Sequence, residues 1–195
     1  MKILFLGYDK SETSLIEQLV ALGHEVEQTA NKIINGLSGF DLVISFGYKH
    51  LLNAEILHSA SRPVLNIHIS YLPYNRGAHP NFWFWVERSP SGVTIHEMDV
   101  GLDTGPIVFQ RRVGHLNVNM TFVESYQILL AEAEALFMQN IDAIFRGTYQ
   151  KLPQNGVGSE HKAKELPTWL QWDMKIKDAI DIYDRSRENG AGTSV

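Results

Sequence analysis

Residues 66–77 read Asn-Ile-His-Ile-Ser-Tyr-Leu-Pro-Tyr-Asn-Arg-Gly and begin within an apolar run over residues 64–69 that predicts a strand. Asn66 and His68 are two positions apart, so both side chains point to one face of that strand. Polar side chains at the end of a buried strand are costly unless they are hydrogen-bonded, and ligands of open α/β sheets bind at the carboxyl ends of strands. From these residues alone, a satisfied polar pair beneath a loop and a ligand site both stay open.

The segments on either side predict an α/β arrangement. Short apolar or β-branched runs predict strands over residues 2–8, 24–29 and 41–47 in addition to 64–69. Asp9 with Glu12 three positions later predicts a helix start before the first helical segment, and weaker helical patterns precede residue 41 and cover residues 53–59. Strands separated by helices favour right-handed crossovers and a parallel sheet.

The second half of the chain changes character. An aromatic-rich helix is predicted over residues 80–88, two antiparallel strands over 92–99 and 106–113, and one long helix over 121–145. Pro and Gly are frequent after Tyr149, which predicts an irregular arm with a last helix near 175–183 and a frayed end at 189–195. We therefore expect one domain over residues 1–148 and a C-terminal arm over 149–195 that is not an independent domain.

Composition excludes several classes of protein. The 195 residues are 44% hydrophobic and carry a net charge of −5, which argues against a disordered chain and against a basic nucleic-acid or membrane binder. Cysteine is absent, which removes disulfides, thiolate metal sites and cysteine nucleophiles. We find neither a signal-peptide pattern nor an apolar run of about 18 residues, so we expect a cytoplasmic protein without membrane partners.

A second polar stretch, residues 99–106, reads Asp-Val-Gly-Leu-Asp-Thr-Gly-Pro between the two antiparallel strands. Taken alone it is typical of a tight turn. It lacks the residues of a calcium loop, so its carboxylates are free for another task. His68, His96 and Asp103 could be imagined as metal ligands, but the helical spacings typical of zinc sites are missing, and we expect no metal.

Together the two stretches resemble the formyltransferases that use N10-formyltetrahydrofolate. The family pattern is Asn-x-His, Ser-x-Leu-Pro, an Arg-Gly loop and an Asp-Thr-Gly loop, and it is met here by Asn66, His68, Ser70, Leu72-Pro73, Arg76-Gly77 and Asp103-Thr104-Gly105. The resemblance covers residues 43–113. It implies a Rossmann-like formyltransferase fold of the α/β class, in which a mostly parallel sheet carries an antiparallel strand pair and flanking helices. It also implies a cis bond at Leu72–Pro73.

The resemblance implies Asn66, His68 and Asp103 as the catalytic residues. An amine that attacks a formyl carbon generates an oxyanion and a protonated nitrogen. Asn66 can donate its amide to the oxyanion, and His68 can donate to the same oxygen or move the amine proton. Asp103 can keep His68 oriented or charged and hold a relay water. Because an isolated carboxylate in a desolvated cleft is costly, we expect Asp103→Asn to leave stability unchanged or slightly raised.

The family also implies where the ligands lie. The formyl donor, N10-formyltetrahydrofolate, would lie between the loop after the third strand and the loop that contains Asp103. The residues implied to contact it are Phe46, Gly47, Tyr48, Lys49, Leu51, Met98, Val100, Leu102 and Asp103. The substrate would lie against Tyr74, Arg76, Gly77 and His79.

Three kinds of acceptor compete. The two carboxylates of residues 7–12 would repel the phosphate of glycinamide ribonucleotide at a helix N-terminus. A tRNA is disfavoured because the chain is acidic and only about 45 residues follow the long helix. Residues 66–81 most resemble the sugar N-formyltransferases, and that resemblance implies a nucleotide-linked amino sugar of the dTDP-dideoxy type as the acceptor, with a homodimer as one assembly to consider. The alternatives are another small amine, such as glycinamide ribonucleotide, and a non-catalytic folate- or nucleotide-binding module.

Overall fold

The computed structural model describes residues 1–191 and contains a six-stranded sheet, a separate two-stranded sheet and six α-helices in that part of the chain. The strands are β1 (Lys2–Gly7), β2 (Glu25–Thr29), β3 (Leu42–Phe46), β4 (Leu65–His68), β5 (Arg76–Gly77), β6 (Gly92–Glu97), β7 (Ile107–Arg112) and β8 (Glu160–His161). The helices are α1 (Leu15–Ala21), α2 (Ala54–His58), α3 (Pro80–Val86), α4 (Phe122–Gln139), α5 (Ile141–Arg146) and α6 (Ile176–Ala191).

The large sheet has the order β2-β1-β3-β4-β6-β7. Strands β1 to β4 pair in parallel, and β6 runs antiparallel to both β4 and β7. This confirms the predicted parallel sheet with an antiparallel addition. Because β2 and β3 lie on opposite sides of β1, the chain changes winding direction there, and the carboxyl ends of β1 and β3 open a crevice between them.

Alternate residues of the parallel strands serve two cores. Ile3 and Phe5 of β1 are fully buried with Leu19 of α1 and Leu129 of α4 on one face of the sheet. Leu4 and Leu6 belong to a second cluster on the other face, which includes Leu52 before α2. Because both faces of the sheet are covered, β1 and β3 are predominantly apolar. Each buried side chain of this size contributes about 1.5–3 kcal/mol of stability.

The helix predicted to start at Asp9 begins later. Asp9 and Glu12 do form mutual turn contacts, but α1 starts after Ser14, whose backbone N–H and hydroxyl donate to the Glu134 carboxylate on α4. The helix predicted before residue 41 is absent, since residues 30–41 form bends and turns. Tertiary contacts outweigh the local capping pattern here.

The long helix predicted over 121–145 is two helices. Asn140 has φ −112° and ψ 13°, and its side chain donates to the Leu136 carbonyl at 2.8 Å. An asparagine amide that competes for a helical carbonyl favours a break at this position. Thr121 caps α4 in a reciprocal pair with Glu124, and Gly147 ends α5 in the left-handed conformation.

The C-terminal arm (residues 149–195, described as far as Ala191) folds back onto the domain. Its β8 pairs in parallel with β5, and α6 packs Ile176 and Ala179 against Phe82 of α3. Helix α6 ends at Ala191 and is therefore longer than the predicted 175–183. The end predicted to fray was 189–195, and residues 192–195 of it lie outside the described part of the chain. The division at residue 148 stays a prediction. The Leu72–Pro73 bond is cis, as predicted.

Candidate active site

A cavity of about 880 Å³ opens at the carboxyl ends of β1, β3 and β4. Its volume is in the range of small-molecule sites. One wall is the sheet edge with the loops over residues 45–51 and 98–103, and the opposite wall comes from α3, α4 and the arm. The position is the one expected for a ligand site in an open α/β sheet.

Asn66 and His68 lie side by side on β4 and both line this cavity. Each is 8% exposed. The Asn66 Nδ2 atom is 3.1 Å from Oδ1 of Asp103, and the His68 Nδ1 atom is 3.6 Å from Oδ2 of the same carboxylate. The two-residue spacing and the Asp loop therefore bring all three predicted catalytic residues together, and each side chain has a partner.

The ring of His68 is anchored from its far side. Its Nε2 atom lies 3.0 Å from the backbone carbonyl oxygen of Asn75. Because a carbonyl only accepts, that nitrogen carries the proton, and Nδ1 is the nitrogen that faces Asp103. The 3.6 Å separation is longer than a hydrogen bond, so Nδ1 interacts with the carboxylate mainly through charge and is open to another partner.

Asp103 lies in the β6–β7 loop with φ +52°, a left-handed conformation that few residues other than glycine adopt. Its Oδ2 accepts a hydrogen bond from the Gly77 backbone N–H at 2.8 Å. Burial of the Asp103 carboxyl would raise its pKa. The positive charge of His68, the hydrogen bond and charge of His96, and the Gly77 N–H outweigh that effect and hold the pKa well below its usual range.

These contacts overturn the premise of an isolated Asp103 carboxylate. An amide in its place loses the charge and cannot accept at both oxygens, so the expected stability change for Asp103→Asn reverses to a loss. The sequence reasoning was wrong here because the Gly77 N–H and His96 come from positions 26 and 7 residues away, which no local pattern connects to Asp103.

His96 is a member of the cluster that the sequence suggested only as a metal ligand. It is 1% exposed, and its Nε2 lies 3.1 Å from Asn66 Nδ2 and 3.3 Å from Asp103 Oδ1. The Glu97 carbonyl, 2.9 Å from Nδ1, fixes a proton on that nitrogen. His96 lies directly opposite Asn66 in the antiparallel pairing of β4 with β6. Alternation along the strand predicted over residues 92–99 was therefore the sequence signal that could have placed His96 on the same face of the sheet as Asn66. Residues 1–191 contain no group of three His, Asp or Glu side chains arranged to hold a metal ion.

All but one of the residues predicted to bind the formyl donor line the cavity. Those that do are Phe46, Gly47, Tyr48, Lys49, Leu51, Met98, Leu102 and Asp103. Val100 does not, and it is 66% exposed. Asp99 accepts hydrogen bonds from the Gly101 N–H and the Thr104 hydroxyl, which closes a turn around Val100 and directs its side chain to solvent.

The four residues predicted to contact substrate divide into two pairs. Gly77 and His79 line the cavity, whereas Tyr74 and Arg76 do not. The Arg76 guanidinium donates to the side-chain oxygen of Gln154 on the arm. Gly77 has φ +85°, and a Cβ there would overlap the His161 carbonyl oxygen, so its backbone is pressed between Asp103 and the arm.

Apart from His79, the wall opposite the proposed catalytic triad (Asn66, His68 and Asp103) was not predicted from the sequence. Tyr8 and Tyr126 share a hydrogen bond between their hydroxyls, and burial raises the pKa of both phenols. His79 lies against Trp172, with ring centroids 5.6 Å apart, and Trp172 is 40% exposed. Burial first, and then the Lys49 charge, lower the pKa of His79, so its ring is neutral near neutral pH. Tyr126 and Trp172 are distant in sequence from both motifs, so no spacing could place them here.

Residues 15–141 match the family model described as formyl transferase, and the chain belongs to that family. Two curated relatives are methionyl-tRNA formyltransferase of Clostridium botulinum (strain Alaska E43 / Type E3) and dTDP-4-amino-4,6-dideoxyglucose formyltransferase of Mycobacterium bovis (strain ATCC BAA-935 / AF2122/97). Both are 32% identical, over 76% and 79% of this chain. The matched parts span 47% and 64% of those proteins, so the chain covers about half to just under two thirds of their length.

A solved structure matches over nearly its whole length. The formyltransferase PseJ from Anoxybacillus kamchatkensis, in complex with UDP-4,6-dideoxy-4-formamido-L-AltNAc and tetrahydrofolate, is 37% identical. It superposes with a TM-score of 0.84 over 91% of this chain and 96% of that one. Within residues 1–191, no helix combines the length and hydropathy needed to cross a bilayer.

Proposed function

We propose that this chain transfers the formyl group of N10-formyltetrahydrofolate to the amine of a nucleotide-linked amino sugar. The observation that carries the proposal is the placement of Asn66, His68 and Asp103 at the edge of a cavity large enough for a ligand of this class. The described complex of PseJ with a UDP-formamido sugar and tetrahydrofolate supports the same donor and acceptor classes.

The loops over residues 45–51 and 98–103 suit the formyl donor. Phe46, Met98 and Leu102 give apolar surface on the cavity wall beside Asp103, which fits a flat aromatic ring system with its formyl group near the triad. When bound, the donor supplies the electrophilic formyl carbon. The acceptor then lies toward the other wall, where His79 and Trp172 offer two neighbouring rings and Lys162 a positive charge.

His68 and Asp103 act as a charged pair in the proposed reaction. The Nε2 atom of His68 is committed to the Asn75 carbonyl, so Nδ1 is the atom that can donate to the formyl oxygen as it becomes negative. Because the pKa of Asp103 is held low, its carboxylate remains ionised and stabilises a positive charge on His68 rather than taking up the amine proton itself. That proton passes to N10 of the leaving folate through water held by Asp103.

Asn66 has to change hydrogen-bond partners during the proposed reaction. Its Nδ2 lies at hydrogen-bond distance from both Asp103 and His96. Donation to the oxyanion therefore requires Asn66 to release one of these two partners as the reaction proceeds. The Asp103 carboxylate is the stronger acceptor of the two, so the contact with His96 is the one we expect to be exchanged.

The test is a panel of acceptors incubated with N10-formyltetrahydrofolate, with release of tetrahydrofolate and formylated product both followed. The panel contains UDP- and dTDP-linked 3-amino and 4-amino dideoxy sugars, glycinamide ribonucleotide and methionyl-tRNA, with His68→Ala as the matched control. Release that depends on an amino-sugar nucleotide, and is lost in the control, supports the proposal. Release with water alone, binding without release, or transfer only to one of the other two acceptors contradicts it. The cytoplasmic location and the homodimer stay predictions.

A further inference from the structure

Gln154, on the arm between α5 and β8, uses its entire side-chain amide within the protein. Its Oε1 accepts from Nε and Nη2 of Arg76 at 2.9 and 2.7 Å. Its Nε2 donates to the backbone carbonyls of Asp103 at 2.7 Å and Gly105 at 2.8 Å. A glutamine amide has two donor hydrogens and two acceptor lone pairs, so all four positions are filled.

One of the two carbonyls that Gln154 binds belongs to Asp103, whose backbone is strained. Asp103 is in the left-handed region, and such a conformation persists only where surrounding contacts determine it. A Cβ at Gly105 would overlap the Glu97 carbonyl oxygen, so the loop is packed closely against β6 on its other side. Gln154 is therefore placed to hold the loop from the side that faces the arm.

The same segment also holds the Asp103 carboxylate. Arg76 is bound by Gln154, and the next residue, Gly77, donates its backbone N–H to Asp103 Oδ2 at 2.8 Å. Arg76 thus acts on the Asp103 backbone through Gln154, and Gly77 holds the Asp103 side chain through its own backbone N–H. A shift of the loop would change the 3.6 Å separation between Asp103 Oδ2 and His68 Nδ1.

We propose that Gln154 is a positioning residue for formyl transfer, which sets the conformation of Asp103 from the C-terminal arm. The proposal rests on the catalytic role proposed for Asp103 above. It also gives Arg76 a structural role as the partner that orients the Gln154 amide. Because Gln154 acts through Asp103, its loss removes rate and leaves the binding of donor and acceptor in place.

The test compares Gln154→Met, which keeps length but not polarity, with Gln154→Glu, which can still bind Arg76 but cannot donate to the two carbonyls. Both should lower kcat at least tenfold, with KM for donor and acceptor within twofold of wild type. Gln110→Met is the matched control, because Gln110 also donates to a backbone carbonyl, that of Leu72, yet contacts no member of the triad. Its kcat should stay within twofold.

A double variant identifies the route of the effect. If Gln154 works through Asp103, then Gln154→Met in an Asp103→Asn background should lower kcat by less than twofold more. A fully additive loss, or a folded Gln154→Glu enzyme with wild-type kcat, overturns the proposal. So does a loss that appears only in KM.

A readout without turnover separates this inference from the proposed function. Carboxyl carbon NMR follows the titration of Asp103, whose pKa in the wild type lies below its usual range. Gln154→Met should raise that pKa toward the usual range, and Gln110→Met should leave it unchanged. If the wild type transfers to no acceptor but the titration moves, the proposed function fails and the positioning role stands. If the titration stays unchanged in both folded Gln154 variants, the positioning role is wrong.

Discussion

Replacement of Asp103 by Asn tests the charge at the centre of the site. The wild-type carboxylate accepts from the Gly77 N–H at 2.8 Å and from Asn66 Nδ2 at 3.1 Å, and it lies 3.3 Å from His96 Nε2 and 3.6 Å from His68 Nδ1. An Asn amide can accept from Gly77 or from Asn66, but its NH2 group then faces a donor on the other side. One charge-assisted hydrogen bond is lost and one donor is left unpaired.

The magnitude follows from these contacts. A hydrogen bond to a charged group contributes about 1.5–3 kcal/mol, and the Asp103 side chain is only 13% exposed, so solvent screens it weakly. We expect Asp103→Asn to lose about 2 kcal/mol of stability at pH 7, a fall in Tm of roughly 4–8 °C for a chain of this size. Formyl transfer should fall by at least ~10²-fold, because His68 no longer has a charged partner.

The pH dependence has a defined sign. Because the pKa of Asp103 is lowered in the folded protein, its stabilising effect is complete above the unfolded value of about 4 and is lost as the pH falls further. The stability difference between the wild type and the Asn variant should therefore be constant from pH 7 to 5 and shrink below about pH 4.

Single-turnover formyl transfer, donor affinity and thermal melts at several pH values measure all three effects. Donor affinity should change little, because the apolar residues of both loops are untouched. A folded Asn variant with wild-type Tm and near-normal turnover would show that Asp103 only shapes its turn. A stability difference that grows below pH 4 would refute the electrostatic reasoning.

Three further predictions concern the frame around the site. Gly77→Ala should cost about 1–3 kcal/mol in urea denaturation because its Cβ meets the arm, and more than Gly23→Ala, which has a similar φ but open space; equal costs would count against this contact. Thr121→Ala should cost about 1 kcal/mol in a thermal melt through loss of the α4 cap, with turnover within twofold, and Thr121→Ser should restore the stability. Burial, together with the Glu97 charge, raises the pKa of Tyr149 to about 12. The difference between the ultraviolet titrations of the wild type and Tyr149→Phe should therefore show one phenol that ionises near that pH. Ionisation near 10 would be inconsistent with this environment.

Local patterns predicted most of the fold. Strand periodicity and terminal glycines placed β1, β3 and β4 to within a residue or two, and the Asn66–His68 spacing placed both side chains on one face. These features depend on alternation along a single segment, which the chain itself displays. The parallel pairing followed from the alternation of strands with helical segments and from a general rule of handedness.

The parts that were missed depend on contacts between distant segments. The start of α1 is set by Glu134, about 120 positions away, and the break at Asn140 by one side-chain contact within an otherwise continuous helical pattern. The cavity wall from Tyr126 and Trp172, and the engagement of Arg76 by Gln154, join residues without any shared spacing. Such partners are set by tertiary packing, which no periodic pattern in one sequence encodes.

The pairing of β5 with β8 has a consequence during synthesis on the ribosome. Asn75 and Ser159 are 84 positions apart, and Asp103 meets Gln154 across 51 positions. At about 5–20 residues per second, translation needs roughly 3–10 s to pass from Asp103 to Gln154. During that interval the nascent chain already carries Asn66, His68 and Asp103, but the segment that frames the Asp103 loop has not been made. On the proposed positioning role of Gln154, the site is completed only after the arm has been synthesised, so the rate of translation limits how soon the site can assemble.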